Sequence, residues 1–344
     1  MEVLLRLPEA IVKSLFTYWL DVKDVGKLDA AYCVHSHRDI FLHTVRSSDC
    51  TLEMPIVKEE AYESPVHYEN LDQFLYWALK RDICLTSLLI TKSFETDYNL
   101  RQKLLQRSGL YIKKLQYFKY FSRWTCKQTT MDIVKYCKNI EDVNFRGFSN
   151  NPREDQSLLR EISNQTFTIF TKECKKINRI NLALASVSDV GLLRILQETQ
   201  GIQQLNLNNC WDKLTAGFRT LARYSATLLS LDLTQCDLTD VVAGAILKNA
   251  GQLRTIVLDQ NYYITGNTVT ALAEHCPLVE HVSLNNCSRV SNQSLSTLAK
   301  HCSQLKAIEL CRVDTLTDES LVGIAAHAYL LETLVLMDCD RVGD

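Results

Sequence analysis

The sequence predicts an α/β solenoid, with short parallel strands on a concave face and helices on the convex one. Three observations predict it. A nine-residue phrase recurs: an apolar residue, two free positions, an apolar residue, one free position, an apolar residue, two free positions, then a small or polar residue. Clear copies start at Ile202, Leu228, Leu253, Val279, Leu305 and Leu331. Those starts lie 25 or 26 residues apart, and a fixed period of this length marks stacked supersecondary units. Finally, the segments between phrases carry apolar residues at helical spacing, so strand and helix alternate.

Within a phrase, alternate residues of an extended chain point to opposite faces, which makes each phrase a short strand with one buried side. The helices follow in order. After the phrase at 279, Leu295, Leu298, Ala299 and Cys302 fall on one helical face, and Ser291 is placed to cap the first turn. Thr215, Thr239, Thr265 and Thr317 stand where the same cap is expected. Upstream, weaker phrases start at Leu85, Ile112, Ile140 and Ile177, giving about ten repeats over 85–344. The step from 140 to 177 is longer than the period and contains the polar run Ser149 to Asp155 with Pro152, which predicts a surface insertion. Residues 51–84 read as a connector with a helix near 68–80 that covers the first repeat, since an open solenoid end exposes core. The chain stops at Asp344, where the pattern places another helix, so a fragment of a longer protein is expected.

This pattern resembles the leucine-rich repeat, specifically its cysteine-containing subclass, over about 85–344. The resemblance implies a horseshoe of parallel strands and outer helices. Eight of the thirteen cysteines sit at two repeat positions. Cys210, Cys236, Cys287 and Cys339 end strand phrases, where Asn261 also sits; Cys137, Cys174, Cys276 and Cys302 lie three residues before the next phrase. A small buried group suits a sharp chain reversal, and Cys behaves there as a small hydrophobe. No Cys-x-x-Cys pair occurs, so no metal site and no cofactor are expected.

Residues 1–50 carry no repeat phrase. Leu7 and Pro8 open an amphipathic helix with Ile11, Leu15, Phe16 and Trp19 on one face, and Pro suits a first helical position. Asp21 or Asp24 caps a second helix containing Val25 and Leu28, and a third apolar stretch runs from Ala30 to Leu42. This block resembles an F-box, a small three-helix domain, through Leu7, Pro8, Ile11, Leu15, Leu20, Asp21, Asp24, Val25, Leu28 and Cys33. The family follows that Cys with a Trp, whereas this chain has Val34-His35-Ser36-His37-Arg38. The resemblance implies docking on a Skp-family adaptor, and through it a cullin complex, by Leu7, Pro8, Ile11, Leu15, Leu20 and Val25.

Composition narrows the function further. The net charge of −2 offers no global attraction to nucleic acid or an anionic membrane. There is neither an apolar run of about 18 residues nor a basic, apolar leader, so cytoplasm or nucleus is expected. No glycine-rich phosphate loop is present, and His37-Arg38-Asp39 lacks the Asn of the kinase motif it echoes. No catalytic residues are assigned. What remains is a surface. The phrase positions that face away from the core give Asn206, Asp232, Glu309, Asn208, Asp259 and Asn285, and the turns beside them carry Trp211, Tyr262, Tyr263, Arg289 and Arg312. Trp, Tyr and Arg are the residue types that anchor interfaces. The resemblance to an F-box followed by cysteine-containing leucine-rich repeats implies the substrate-recognition subunit of an SCF-type cullin-RING ubiquitin ligase, binding a target protein on its repeat face. The alternative is a non-catalytic repeat scaffold without adaptor contact.

Overall fold

The computed structural model describes residues 51–52, 75–80, 83–90, 92–117, 126–147, 156–199, 201–210 and 214–343. The F-box-like block at 1–50 and the insertion at 149–155 lie outside the described residues. The chain forms two compact units, Met1–Asn144 with Ile169–Ile177, and Phe145–Thr168 with Asn178–Asp344.

In the first unit, β1 (Thr51–Leu52) pairs in parallel with β2 (Cys84–Leu85), and residues 75–80 are helical. Then come β3 (Ser87–Ile90), α1 (Lys92–Thr96), α2 (Tyr98–Ser108), β4 (Lys114–Tyr117), α3 (Cys126–Tyr136) and β5 (Asp142–Asn144). The strands β3, β4 and β5 are parallel, with Leu88, Leu115 and Val143 aligned and buried. The last residues of α4 (Gln156–Glu173) also belong to this unit, where Phe170 sits edge-on to Tyr117, ring centroids 5.8 Å apart. One buried charge is fully matched: the Arg101 guanidinium donates to Asp132 Oδ2 at 2.8 Å and to the carbonyls of Phe94 and Glu95. A buried arginine is tolerated only when its donors are occupied in this way.

The second unit repeats strand, turn and helix. Its elements are β6 (Arg179–Asn181), α5 (Asp189–Glu198), β7 (Gln204–Asn206), α6 (Thr215–Tyr224), β8 (Ser230–Asp232), α7 (Asp240–Leu247), β9 (Thr255–Val257), α8 (Gly266–His275), β10 (His281–Ser283), α9 (Asn292–His301), β11 (Ala307–Glu309), α10 (Asp318–Ala325) and β12 (Thr333–Val335). All seven strands run parallel in chain order, with Ile180, Leu205, Leu231, Ile256, Val282, Ile308 and Leu334 in one row. The residue two places on gives a second row, Leu182, Leu207, Leu233, Leu258, Leu284 and Leu310, each at most 1% exposed. Helix residues such as Leu192, Leu221, Ile246, Leu272 and Leu298 close the core from the other side. Each such side chain contributes about 1.5–3 kcal/mol by leaving water. Strands repeat every ~4.8 Å, whereas packed helices need about 8–10 Å. Within this unit the strand side is therefore the concave one.

The turns after β5 to β12 share one fixed feature. The residue before the phrase's last position is left-handed: Gly147, Leu184, Asn209, Gln235, Gln260, Asn286, Arg312 and Asp338, with φ between 48° and 66°. Its N–H still donates to the next repeat, as in Asn209 to Thr234 O and Gln235 to Asp259 O.

Helix capping differs in part from the sequence expectation. Ser291 forms a capping box with Ser294, and Thr265 accepts from Asn267 N. Thr239 and Thr317 occupy N-cap positions but make no side-chain cap bond. Thr215 is inside its helix, and Leu214 precedes it. Side chains of the preceding repeat supply acceptors at the starts of α6, α8 and α10. Asp189 Oδ1 accepts from Gly217 N at 2.6 Å, Asp240 Oδ1 from Thr265 N at 2.8 Å, and Asn292 Oδ1 from Thr317 N at 3.1 Å. Each of these side chains stands at the first position of its own helix, and one repeat's helix start caps the next.

Candidate interaction face

Both recurring cysteine positions are tied to carbonyls of the preceding repeat. Cys210, Cys236, Cys287 and Cys339 donate their S–H to Leu182, Leu207, Leu258 and Leu310 O at 3.3, 3.3, 3.2 and 2.9 Å. Asn261 does the same to Leu233 O at 2.9 Å, and its amide also bonds Leu258 O, Cys236 N and Leu238 N. At the helix ends, Cys174 donates to Cys137 O and Cys302 to Cys276 O. Burial pushes the Cys236, Cys276 and Cys287 thiols up to about 12. These groups are neutral structural donors, with no thiolate available as nucleophile or ligand at neutral pH.

The open face of the second unit is built from three columns, the third, fifth and seventh phrase positions. The third runs Gln204, Ser230, Thr255, His281, Ala307 and Thr333. The fifth holds Asn206, Asp232, Val257, Ser283, Glu309 and Val335, and the seventh Asn208, Thr234, Asp259, Asn285, Cys311 and Met337. Every candidate face residue is half-buried: Asn206, Asn208, Asp232, Asp259, Asn285 and Glu309. They are bonded to one another across strands. Asn206 Nδ2 donates to Asp232 Oδ2 at 2.9 Å, while Asp232 Oδ1 accepts from Thr234 N and Oγ1. Over β10, Asp259 and Glu309 converge: Ser283 Oγ lies 2.7 Å from Asp259 Oδ1 and 3.3 Å from Glu309 Oε2. Asn285 Nδ2 lies 3.0 Å from Asp259 Oδ2 and 3.2 Å from Glu309 Oε2. Burial pushes the Asp259 carboxyl up, against the hydrogen bonds of Ser283 and Asn285, and Glu309 adds like-charge repulsion.

The rim residues are more open. Tyr262 and Tyr263 are 53% and 56% exposed, Arg289 is exposed, and Arg312 is exposed while pairing with Asp338 at 3.0 Å. Trp211 lies outside the described residues, as do Leu7, Pro8, Ile11, Leu15, Leu20 and Val25. The sequence reading placed Ser283 in the fifth column without giving it a role as the bridge between two carboxylates, and it passed over the position-three column. It also missed Arg254, Glu280 and Lys306 at position two, where Glu280 receives both cations at 2.5 and 2.7 Å. Hydrogen bonds from Lys306 and Arg254 hold the Glu280 carboxyl below its usual range. The signal for all of these was the 26-residue spacing applied to every free position rather than to two of them.

No protein-family model matches the chain. Among solved structures, a chain of the yeast Rad7 and Elc1 complex matches with a TM-score of 0.54 and 12% identity, over 94% of this chain and 82% of that one. The leucine-rich repeat-containing protein LegL7 from Legionella pneumophila matches with a TM-score of 0.41 and 16% identity, over 88% of each chain. Parallel strands in phrase register, backed by one helix per repeat, give this chain an α/β leucine-rich-repeat fold.

Proposed function

We propose that the chain is the target-recognition subunit of an SCF-type cullin-RING ubiquitin ligase, built on repeats of the cysteine-containing subclass. Residues 7–42 dock on a Skp-family adaptor through Leu7, Pro8, Ile11, Leu15, Leu20 and Val25, and the repeat face holds a target protein for ubiquitin-dependent degradation. The observation that carries the binding half is the open strand face, a periodic surface whose polar side chains are fixed by bonds to one another. Such a surface presents groups to a partner at small entropic cost. The yeast chain of the same fold was solved together with Elc1, which supports a reading in terms of protein assembly. The chain performs no chemistry itself. It holds target and ligase together, raising the effective concentration of one near the other, and works in the cytoplasm or nucleus.

The test is co-purification of the tagged full chain with a Skp-family adaptor. Wild-type protein retains the adaptor, and Pro8→Ala combined with Leu15→Ala lowers retention at least about ten-fold, the loss of ~1.4 kcal/mol. If wild-type protein retains no adaptor, the second reading stands, a repeat scaffold without adaptor contact. The segment Val34-His35-Ser36-His37-Arg38, which has no Trp, favours that reading.

A further inference from the structure

The geometry points to an extended, lysine- or arginine-bearing protein segment as the occupant of the open strand face of the second unit. This deepens the target-binding half of the proposed function and rests on it. Charge bookkeeping carries the argument. From Gln204 to Met337 the three columns hold Asp232, Asp259 and Glu309 and not one Lys or Arg. Of the cations nearby, Arg254 and Lys306 both bind Glu280 and Arg312 binds Asp338, while Arg179 at position three on β6 and Arg289 at the rim are exposed and have no ion pair with the face carboxylates. Among the described residues, then, the face carboxylates lack a cationic partner, while Glu280 and Asp338 at its edges have one. Asp232 has a separate donor for each of its contacts, and Asp259 also accepts from Asn285 N, but the side-chain donors that Asp259 and Glu309 share are neutral and fewer than their contacts. Ser283 has one proton for two carboxylates, and Asn285 Nδ2 has two protons for three oxygen neighbours, those of Asp259, Ser283 and Glu309. Oxygen is in excess over donors, which is the condition an ammonium or guanidinium group relieves.

The aromatic pair supplies an independent element. Tyr262 and Tyr263 follow Asp259 in the turn that leaves β9, and that turn is pinned by the buried Asn261 amide. Their rings are exposed and lose little entropy on contact, and a cation over a tyrosine face is attracted by the ring's negative face. Spacing sets the partner's form. Asp232 on β8 and the Asp259–Glu309 pair over β10 are two strands apart, about 10 Å at ~4.8 Å per strand. An extended chain covers that distance in about three residues at ~3.3 Å each, so basic residues about three apart reach both acidic positions.

The test titrates the full chain into a fluorescein-labelled glycine peptide bearing a lysine at every third position, at low salt. Comparison peptides carry glutamate or serine in place of lysine. The lysine peptide binds at least about ten-fold tighter than either, and Asp259→Asn combined with Glu309→Gln removes that preference. Asp232→Asn alone weakens binding by about three-fold, and serves if the double variant does not fold. Asp314→Asn combined with Glu332→Gln, two exposed acids off the face, leaves binding unchanged. Equal binding by the serine peptide overturns the proposal, as does an equal loss in the off-face variant. Preference for a single-stranded RNA oligonucleotide over the lysine peptide overturns it too. Adaptor retention is read separately in all variants. A wild-type chain that shows no lysine preference but retains the adaptor defeats this inference alone; a wild-type chain that prefers the lysine peptide but retains no adaptor defeats the ligase reading and leaves the face.

Discussion

At the eighth position of the phrase, residues of very different chemistry share one backbone conformation. Leu184, Gln235, Gln260 and Arg312 all have φ between 53° and 59°, and only Gly147 in that column lacks a side chain. A left-handed L-residue costs roughly 1–2 kcal/mol relative to its ordinary conformation, and the next repeat's hydrogen bond holds it there. Gln235 is exposed, so its side chain contributes little packing. Gln235→Gly is expected to raise stability by about 0.5–1 kcal/mol, since relief of strain exceeds the added unfolded-state entropy. Gln235→Val lowers it by at least about 1 kcal/mol, because a branched Cβ fits the left-handed region worst. Urea denaturation of the two variants decides this, and equal midpoints would remove the strain argument. Asn261 tests the neighbouring position. Asn261→Ala abandons buried N–H and C=O partners and costs about 2–4 kcal/mol, while Asn261→Cys costs less because a thiol restores the bond to Leu233 O that its counterparts make. The cysteine register was legible in the sequence because it repeats one residue type. The left-handed column was not, because its occupants share a shape and no chemistry.

At the scale of the element, the helices are joined end to end by their caps. Asp240 is the fullest case: its carboxylate accepts from Thr265 N and Oγ1 and from Thr268 Oγ1, at 2.8, 2.7 and 2.6 Å. Desolvation acts against the charged form, and the hydrogen bonds from Thr268 and Thr265 outweigh it, so the pKa lies below the ordinary 3.8. A depressed folded-state pKa gives stability that is present above 3.8 and lost as pH falls through the folded value. Asp240→Ala is therefore expected to cost about 1–2 kcal/mol at neutral pH, the usual scale of a lost cap. Its difference from wild type shrinks as pH falls toward 2, and thermal melts across that range measure it. A difference that persists at pH 2 would mean that packing, not charge, is at work. The sequence reading found Ser291 and Thr265 because their acceptors are local. It assigned Thr215, Thr239 and Thr317 the same task wrongly: the helices of Thr215 and Thr317 take an acceptor from Asp189 and Asn292, 25 or more positions upstream, and Thr239 makes no side-chain cap bond. A cap of that kind is visible in sequence only after the repeats have been aligned on one another.

At the scale of the molecule, a repeat unit has no centre, and stability is set by how many neighbours each repeat has. The phrase periodicity made this architecture legible, since ten apolar triplets in one register can only be buried by stacking. The use of the face was less legible, because the bonds that tie Asp232 to Asn206, and Asp259 to Ser283 and Asn285, connect residues on different strands. In the second unit, interior repeats are closed on both flanks, and Leu284 is 0% exposed. The repeat of β12 is open on one flank: Leu334 is 38% exposed, Leu330 48%, Met337 61% and Tyr329 84%. Leu284→Ala should therefore cost about 3–5 kcal/mol, a buried leucine with neighbours on every side. Leu336→Ala, at the same phrase position but half-buried, should cost about 1 kcal/mol, because much of its surface never left water. Hydrogen exchange should show the same gradient. Amides bonded between β8, β9 and β10 exchange only through opening of several repeats together, and those of β11 bonded to β12 exchange through local fraying. Leu336→Ala then accelerates exchange in β11 and β12 and leaves β8 to β10 unchanged, whereas Leu284→Ala accelerates all of them. If Leu336→Ala sped exchange in β8 to β10 as well, the second unit would be unfolding as one cooperative block, and nearest-neighbour stacking would not describe its stability.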